Sequence, residues 1–166
     1  MIPLWNTWYF FQMYANAAGY TAERRTDSQH PMDRYLLAKT RDLVERSAEQ
    51  HEAFDIAGAC ETMRSYLDVL TNWYIRRSRE RFWAEGVTDG NVEPATKDAF
   101  DTLYTVLETV LRVAAPLLPL VTEEIWRGLT GGRSVHLTDW PSLDELPADD
   151  ALVAQMDLVR DVCSAG

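Results

Sequence analysis

At 166 residues the chain is the size of one domain, or of one domain carrying a piece of another, and 46% hydrophobic with 25% charged residues argues against disorder. A net charge of -10 excludes indiscriminate attraction to nucleic acid, although the distribution of charge decides more than its sum. Two cysteines, Cys60 and Cys163, exclude a disulfide framework or a CxxC redox motif, and fit a reducing cytoplasm.

With only 8 glycines and 7 prolines, long periodic runs dominate, which predicts an all-α chain. The first run carries no charge from Met1 to Ala22. It is long enough to span a membrane, but Asn6, Thr7, Gln12 and Asn16 interrupt it and no cationic flank anchors its start. A buried bundle helix is expected instead, opened by Pro3 and closed by Gly19, with Asn6 as a polar packing group. No basic segment leads into an apolar stretch with a small-residue cleavage site, so no secretory leader is expected. A chain that opens on its most apolar helix is expected to be a fragment whose N-terminal neighbour is missing.

A polar loop, residues 21–30, leads to Pro31 and a second helix through about Gln50. Met32, Tyr35, Leu36, Leu43 and Val44 form its apolar side, and Lys39, Arg41, Asp42, Glu45 and Arg46 its solvated side. Residues 55–83 read as one long helix. Its seam of Ile56, Cys60, Met63, Leu67, Leu70 and Tyr74 lies within about 80° of arc, which makes Cys60 a buried thiol. On the same wheel Asn72, Arg76, Arg79 and Trp83 share the opposite face. A glycine-containing spacer covers residues 85–94.

A fourth helix is predicted from Ala95 to about Ala115, with Phe100, Leu103, Tyr104, Leu107, Val110, Leu111 and Ala114 on one buried side and Pro116 ending it. A fifth starts near Pro119, carries Glu123 and Glu124 at its positive end, and stops at Gly131-Gly132. Residues 134–141 alternate like a short strand or extended segment. Residues 1–133 are therefore expected to be the helical bundle, 134–150 an extended segment with an acidic linker, and 151–166 the start of a C-terminal helix.

No catalytic centre is visible. His30, His51 and His136 do not pair with other ligands at metal-binding spacing, and no zinc site is expected. Glu123 and Glu124 point about 100° apart on a helix, so they are helix-start acids rather than a catalytic pair. The glycines at 131–132 follow a helix rather than precede one, and no P-loop or GxGxxG pattern exists.

The run Asn72-Trp73-Tyr74-Ile75-Arg76-Arg77-Ser78-Arg79-Glu80-Arg81-Phe82-Trp83 carries the chemistry. Residues 76–81 hold four arginines and one glutamate, a local +3 in an acidic chain. Arginine forks meet phosphates and base edges, and aromatic rings stack on unpaired bases. Two readings stand at this point. One is an RNA-binding face; the other is a helix whose Trp73 and Phe82 are core and whose arginines pair with acids elsewhere.

Four stretches resemble a known family: PLWNTWYFFQMYANA, MDRYLLAKTRDLVE, YLDVLTNWYIRRSRERFW, and APLLPLVTEEIWRGL followed by SVHLTDWP. Together they span residues 3 to about 141 in the family's order. They resemble the anticodon-binding region of class I aminoacyl-tRNA synthetases, most closely that of the isoleucine enzymes of high-GC bacteria. The resemblance implies a helical bundle that packs on the anticodon stem-loop of isoleucine tRNA, beside the catalytic domain of the same parent chain; a cytoplasmic location is expected, and nothing in the sequence requires more than a monomer. The parent would use ATP and Mg to charge its tRNA, but its Rossmann domain with HIGH-type and KMSKS-type signatures is not in this chain, nor is the editing domain. No cofactor or catalytic residue is therefore assigned here. The C-terminal modules of such synthetases, some of them zinc-binding, would follow Trp140. Carried onto this sequence, the RNA role falls first on Arg76, Arg79 and Arg81, then on Trp73, Tyr74 and Trp83, with Arg77 and Asn72 also in the set. Tyr74 and Arg81 fall near the seam, where bracing the bundle is the competing role. The valine enzyme's domain, and a helical protein-interaction module without RNA, are the alternatives.

Overall fold

The computed structural model describes residues 2–83 and 92–165. Its elements are α1 (Ile2–Ala18), α2 (Pro31–Glu52), α3 (Ile56–Asp68), a π-helical segment (Val69–Ile75), α4 (Arg76–Phe82), α5 (Pro94–Ala114), α6 (Pro119–Thr130) and α7 (Asp150–Ala165). Backbone angles at Asp68, Val69, Ile75 and Arg76 are all right-handed helical, so α3, the π segment and α4 form one continuous helix. The described residues are thus all-α, as the periodicity predicts.

Local chemistry sets the helix ends. Proline occupies the first turn of α2, α5 and α6, where a missing N–H costs nothing. Asp55 caps α3 by accepting from Gly58 N at 2.9 Å. Gly19 (φ 60°) and Gly131 (φ 67°) take the left-handed conformation that ends α1 and α6.

The bundle is built around α5. Helices α1, α2, α4 and α6 all pack on it, and it is covered on nearly every side: Ala99, Phe100, Leu103, Val106, Leu107 and Val110 are fully buried on its apolar face, and Asp101, Thr105 and Thr109 are buried on its polar one. Its buried threonines return their hydroxyls to the preceding turn, Thr105 Oγ1 to Asp101 O at 2.7 Å and Thr109 Oγ1 to Thr105 O at 2.9 Å. The Asp101 carboxylate accepts from Tyr20 Oη and from Glu23 N, each at 2.9 Å, and so fastens the polar loop after α1 to the bundle.

Several expectations change. The α1 helix buries Leu4, Thr7, Phe10, Phe11, Ala15 and Ala18, but Ile2, Trp5, Tyr9 and Met13 form an exposed apolar stripe at helical spacing. Asn6 is exposed; the buried polar group is Thr7, whose Oγ1 donates to Pro3 O at 2.9 Å. The seam of α3 is buried from Met63 onward, yet Ile56 is 51% exposed and Cys60 is exposed, because in the first turns of α3 it is Ala59, fully buried, that faces the bundle. Lys39 and Arg41 are not solvated: Lys39 Nζ reaches Asp157 at 3.0 Å and Arg41 donates to Leu146 O at 3.0 Å. The alternating segment forms no strand. Ser134 Oγ accepts from His136 N, Glu123 accepts from Ser134 Oγ and Val135 N, and a 3₁₀ turn forms over Val135–Leu137. Glu123 therefore holds this turn in place, in addition to sitting early in α6. A second 3₁₀ turn, Leu143–Glu145, follows, and α7 then packs on α2. The spacer expected at 85–94 lies mostly outside the described residues. Among the described residues no helix is long and apolar enough to cross a membrane.

Candidate nucleic-acid interface

The candidate face begins in the π segment. An i→i+5 turn is wider than an α turn, and such turns are rare and frequently accompany functional sites. Here it changes the phase of the helix. Three successive residues, Trp73, Tyr74 and Ile75, are buried, which a plain α-helix against one partner does not achieve. Beyond it Ser78 and Phe82 turn inward, and Phe82 packs edge-on against Phe10 and Phe100. Arg76, Arg77, Arg79, Glu80 and Trp83 face solvent, as does Asn72 one turn before. The face read from the wheel thus forms, and Arg77 joins it because of the phase change.

Electrostatics separates these arginines from most of the others. In an acidic chain the ordinary fate of an arginine is a carboxylate: Arg24, Arg25, Arg34, Arg64, Arg81, Arg112, Arg127 and Arg160 each have one within 4 Å. Arg76, Arg77 and Arg79 have no such partner among the described residues. The Arg77 guanidinium lies over the Trp73 ring, 4.4 Å from its centroid, which holds its plane without neutralising its charge. Asn72 Nδ2 donates to Asp68 Oδ1 at 2.6 Å. Trp83 is 66% exposed, an indole free to stack.

Three other candidates are turned inward. Tyr74 is fully buried and its hydroxyl donates to Asp33 Oδ1 at 2.8 Å; burial, then the Asp33 charge, pushes its pKa well above the usual value. Arg81 makes a two-pronged pair with Asp33, Nη1 to Oδ1 at 2.6 Å and Nη2 to Oδ2 at 2.7 Å, and also donates to Ala95 O. Trp73 is 9% exposed, covered by Val69 and Tyr35 and by Leu152, Val153 and Met156 of α7. These residues support the face from within. Sequence reasoning missed their organiser, Asp33: an aspartate in the first turn of a helix reads as a dipole partner, and nothing local marks it as the buried acceptor for side chains 41 and 48 positions away.

His30 joins this network at the surface. It caps α2, its Nδ1 accepting from Met32 N at 3.2 Å, and Arg81 Nη1 lies 3.3 Å away. Burial, then the neighbouring Arg81 charge, lowers its pKa. A histidine held neutral by the fold contributes stability above its unfolded pKa, and that contribution is lost as pH falls from about 6.5 through the lower folded value. We therefore expect the urea midpoint to fall between pH 7 and pH 5. His30→Asn, which keeps a cap acceptor but cannot titrate, should flatten that part of the profile, and an unchanged profile would remove His30 from the account.

Comparison with known proteins follows the same line. A family model described as the anticodon-binding domain of tRNA ligase matches residues 33–166. The chain is 66% identical over 164 residues to an isoleucine–tRNA ligase of Leifsonia xyli subsp. xyli, covering 99% of the chain and 14% of that relative. It is 57% identical over 162 residues to the isoleucine–tRNA ligase of Nocardia farcinica, covering 98% and 14%. For the Mycobacterium tuberculosis isoleucine–tRNA ligase the identity is 56% over 165 residues, covering 99% and 15%. The chain spans about one seventh of the length of these relatives. A helical bundle with an outward arginine face, matched over most of its length by the family model, belongs to the anticodon-binding domain family of tRNA ligases.

Proposed function

We propose that this chain is the anticodon-binding part of an isoleucine–tRNA ligase, and that its outer α4 face meets the anticodon stem-loop of isoleucine tRNA. The observation that supports it best is the set Arg76, Arg77 and Arg79, without carboxylate partners among the described residues in a chain whose other arginines mostly hold carboxylates. Asn72 and Trp83 flank them with an amide for base edges and a ring for stacking. Arg81, Trp73 and Tyr74 serve the same face indirectly, by fixing the helix that carries it.

In this reading the parent is a cytoplasmic, monomeric enzyme that activates isoleucine with ATP and Mg²⁺ and esterifies it to tRNA, with all of that chemistry in segments beyond this chain. The exposed stripe of Ile2, Trp5, Tyr9 and Met13 on α1 offers apolar surface to the catalytic domain of the same parent. The test is binding of an isoleucine-tRNA anticodon stem-loop, beside a scrambled-loop control, at two salt concentrations. Preference for the cognate loop that weakens steeply with salt supports the reading. Salt-insensitive binding to a protein partner, with no RNA preference in either the chain or the full-length ligase, would replace it with a protein-docking role.

A further inference from the structure

We infer that Arg160 of α7 is a positioning residue for RNA recognition, fixing through Asp68 and Trp73 the directions in which Asn72 and Arg77 leave the surface. The inference rests on the RNA reading of the α4 face and deepens it. Two exposed candidates each lean on one support: Asn72 on Asp68, at 2.6 Å, and Arg77 on the Trp73 ring, at 4.4 Å. Arg160 lies beside both supports. Its Nη2 lies 3.6 Å from Asp68 Oδ2, and its guanidinium lies 6.0 Å from the centroid of the Trp73 ring.

Left alone, the Asp68 carboxylate would be a poor anchor, because its side chain is 58% exposed and free to change rotamer. Arg160 is itself well held. One turn before it, Asp157 accepts from Tyr35 Oη at 2.6 Å and from Lys39 Nζ at 3.0 Å, and lies 3.4 Å from Arg160 Nη1. Below these polar contacts Leu152, Val153 and Met156 pack against Tyr35, Val69 and Trp73. An apolar seat and a half-buried carboxylate thus deliver the charged end of α7 to the back of the recognition face. Arginine suits this position because one guanidinium sits beside the Asp68 and Asp157 carboxylates, at 3.6 and 3.4 Å, while the Trp73 ring lies 6.0 Å away. An ordered Asn72 and Arg77 lose less conformational freedom when RNA arrives, which raises affinity without any new contact.

The test uses the full-length ligase and measures KM for isoleucine tRNA, kcat, and isoleucine-dependent pyrophosphate exchange without tRNA. Arg160→Gln should raise KM for tRNA by about three- to tenfold, leaving kcat and the exchange unchanged. In an Asn72→Ala, Arg77→Ala background the same substitution should add little, because the residues it positions are gone. Arg160→Lys should recover part of the loss, keeping the charge beside Asp68 but not the planar guanidinium near Trp73. If Arg160→Gln lowers thermal stability too far for kinetics, Asp157→Asn loosens the same end of α7 without touching Trp73 or Asp68, and the same KM-only effect is expected. An unchanged KM in these variants, while Arg76→Glu with Arg79→Glu raises it, overturns the inference and leaves the RNA reading standing. Full additivity with Asn72→Ala, Arg77→Ala also overturns it, since Arg160 would then act independently. An unchanged KM in the Arg76→Glu, Arg79→Glu enzyme overturns the RNA reading and this inference with it.

Discussion

Asp33→Ala should destabilise the chain by about 3–5 kcal/mol, the largest single-residue effect expected outside the apolar core, because it strands a buried cation. Asp33 is fully buried and its two oxygens accept from Ser28 Oγ at 2.7 Å, Tyr74 Oη at 2.8 Å, and the two Arg81 prongs at 2.6 and 2.7 Å. Alanine removes every acceptor at once. Ser28 and Tyr74 lose partners they cannot replace with water, and Arg81, with its side chain only 15% exposed, keeps its charge without a counter-ion. Removing one donor costs far less: Tyr74→Phe deletes a single hydroxyl and should cost about 1–1.5 kcal/mol. The contrast identifies the mechanism. Urea unfolding should show the two variants with the same m-value and midpoints displaced in that ratio. Replacing Asp33 and Arg81 together by apolar residues of similar size should recover much of the loss, since the stranded charge is then absent. An Asp33→Ala cost near that of Tyr74→Phe would mean that Arg81 finds another partner or reaches solvent. The ion pair would then not be what fixes α4 against α2.

The same network explains which parts of the molecule could be read from sequence. Helix ends were legible at Pro31, Pro119 and Gly131 because proline and glycine act on their own backbone, with no distant partner needed. Helix phase was legible as well: Asn72, Arg76, Arg79 and Trp83 are exposed, as the opposite seam requires. Phase says which way a residue points, however, and not whether a neighbour is there to meet it. Ile56 and Cys60 fall on the predicted seam and remain exposed, because the neighbour meets the first turns of α3 at Ala59 instead. Lys39 and Arg41 point away from the bundle and are nevertheless engaged, by Asp157 and by the carbonyl of Leu146, both more than 100 positions later in the chain. The alternation at 134–141 extends over too few residues to compete with a serine and a glutamate that fold the same backbone into a 3₁₀ turn.

At the site, the choice of arginines and aromatics as candidates is a judgement of chemistry by residue type, and it cannot separate those that face outward from those that hold the face in place. The π segment decides that. It buries Trp73, Tyr74 and Ile75 in succession and advances Arg77 to the surface, and no pattern in the sequence announces such a turn. Arg81 belongs with the supports because of Asp33, a partner found only once the fold brings the first turn of α2 to the end of α4.

Arg76→Glu with Arg79→Glu is the substitution with the largest effect expected on binding. It changes residues 76–81 from four arginines and one glutamate to two arginines and three glutamates, turning a local +3 into -1. Affinity for the anticodon stem-loop should fall by about a hundredfold or more at moderate salt, and the salt dependence should flatten by about 0.7 to 0.9 of a log unit for each phosphate no longer neutralised. The fold should be unaffected in its main features, because both side chains are exposed and neither has a carboxylate partner among the described residues. Two acids in the last two turns of the continuous helix that ends at Phe82 oppose its dipole, which accounts for at most about 1 kcal/mol each. Circular dichroism and the urea midpoint therefore serve as the control for the binding measurement. Retained helicity with lost binding assigns the effect to the face itself. Lost helicity would show that one of the two arginines is embedded rather than presented to solvent. Retained binding with a retained salt slope would move RNA recognition away from α4. Running the same variant in the full-length ligase separates the remaining case, in which the chain alone binds no RNA. A raised KM for tRNA there would mean that the face works only beside its partner domains, whereas an unchanged KM would mean that this cluster braces α4 and reads nothing.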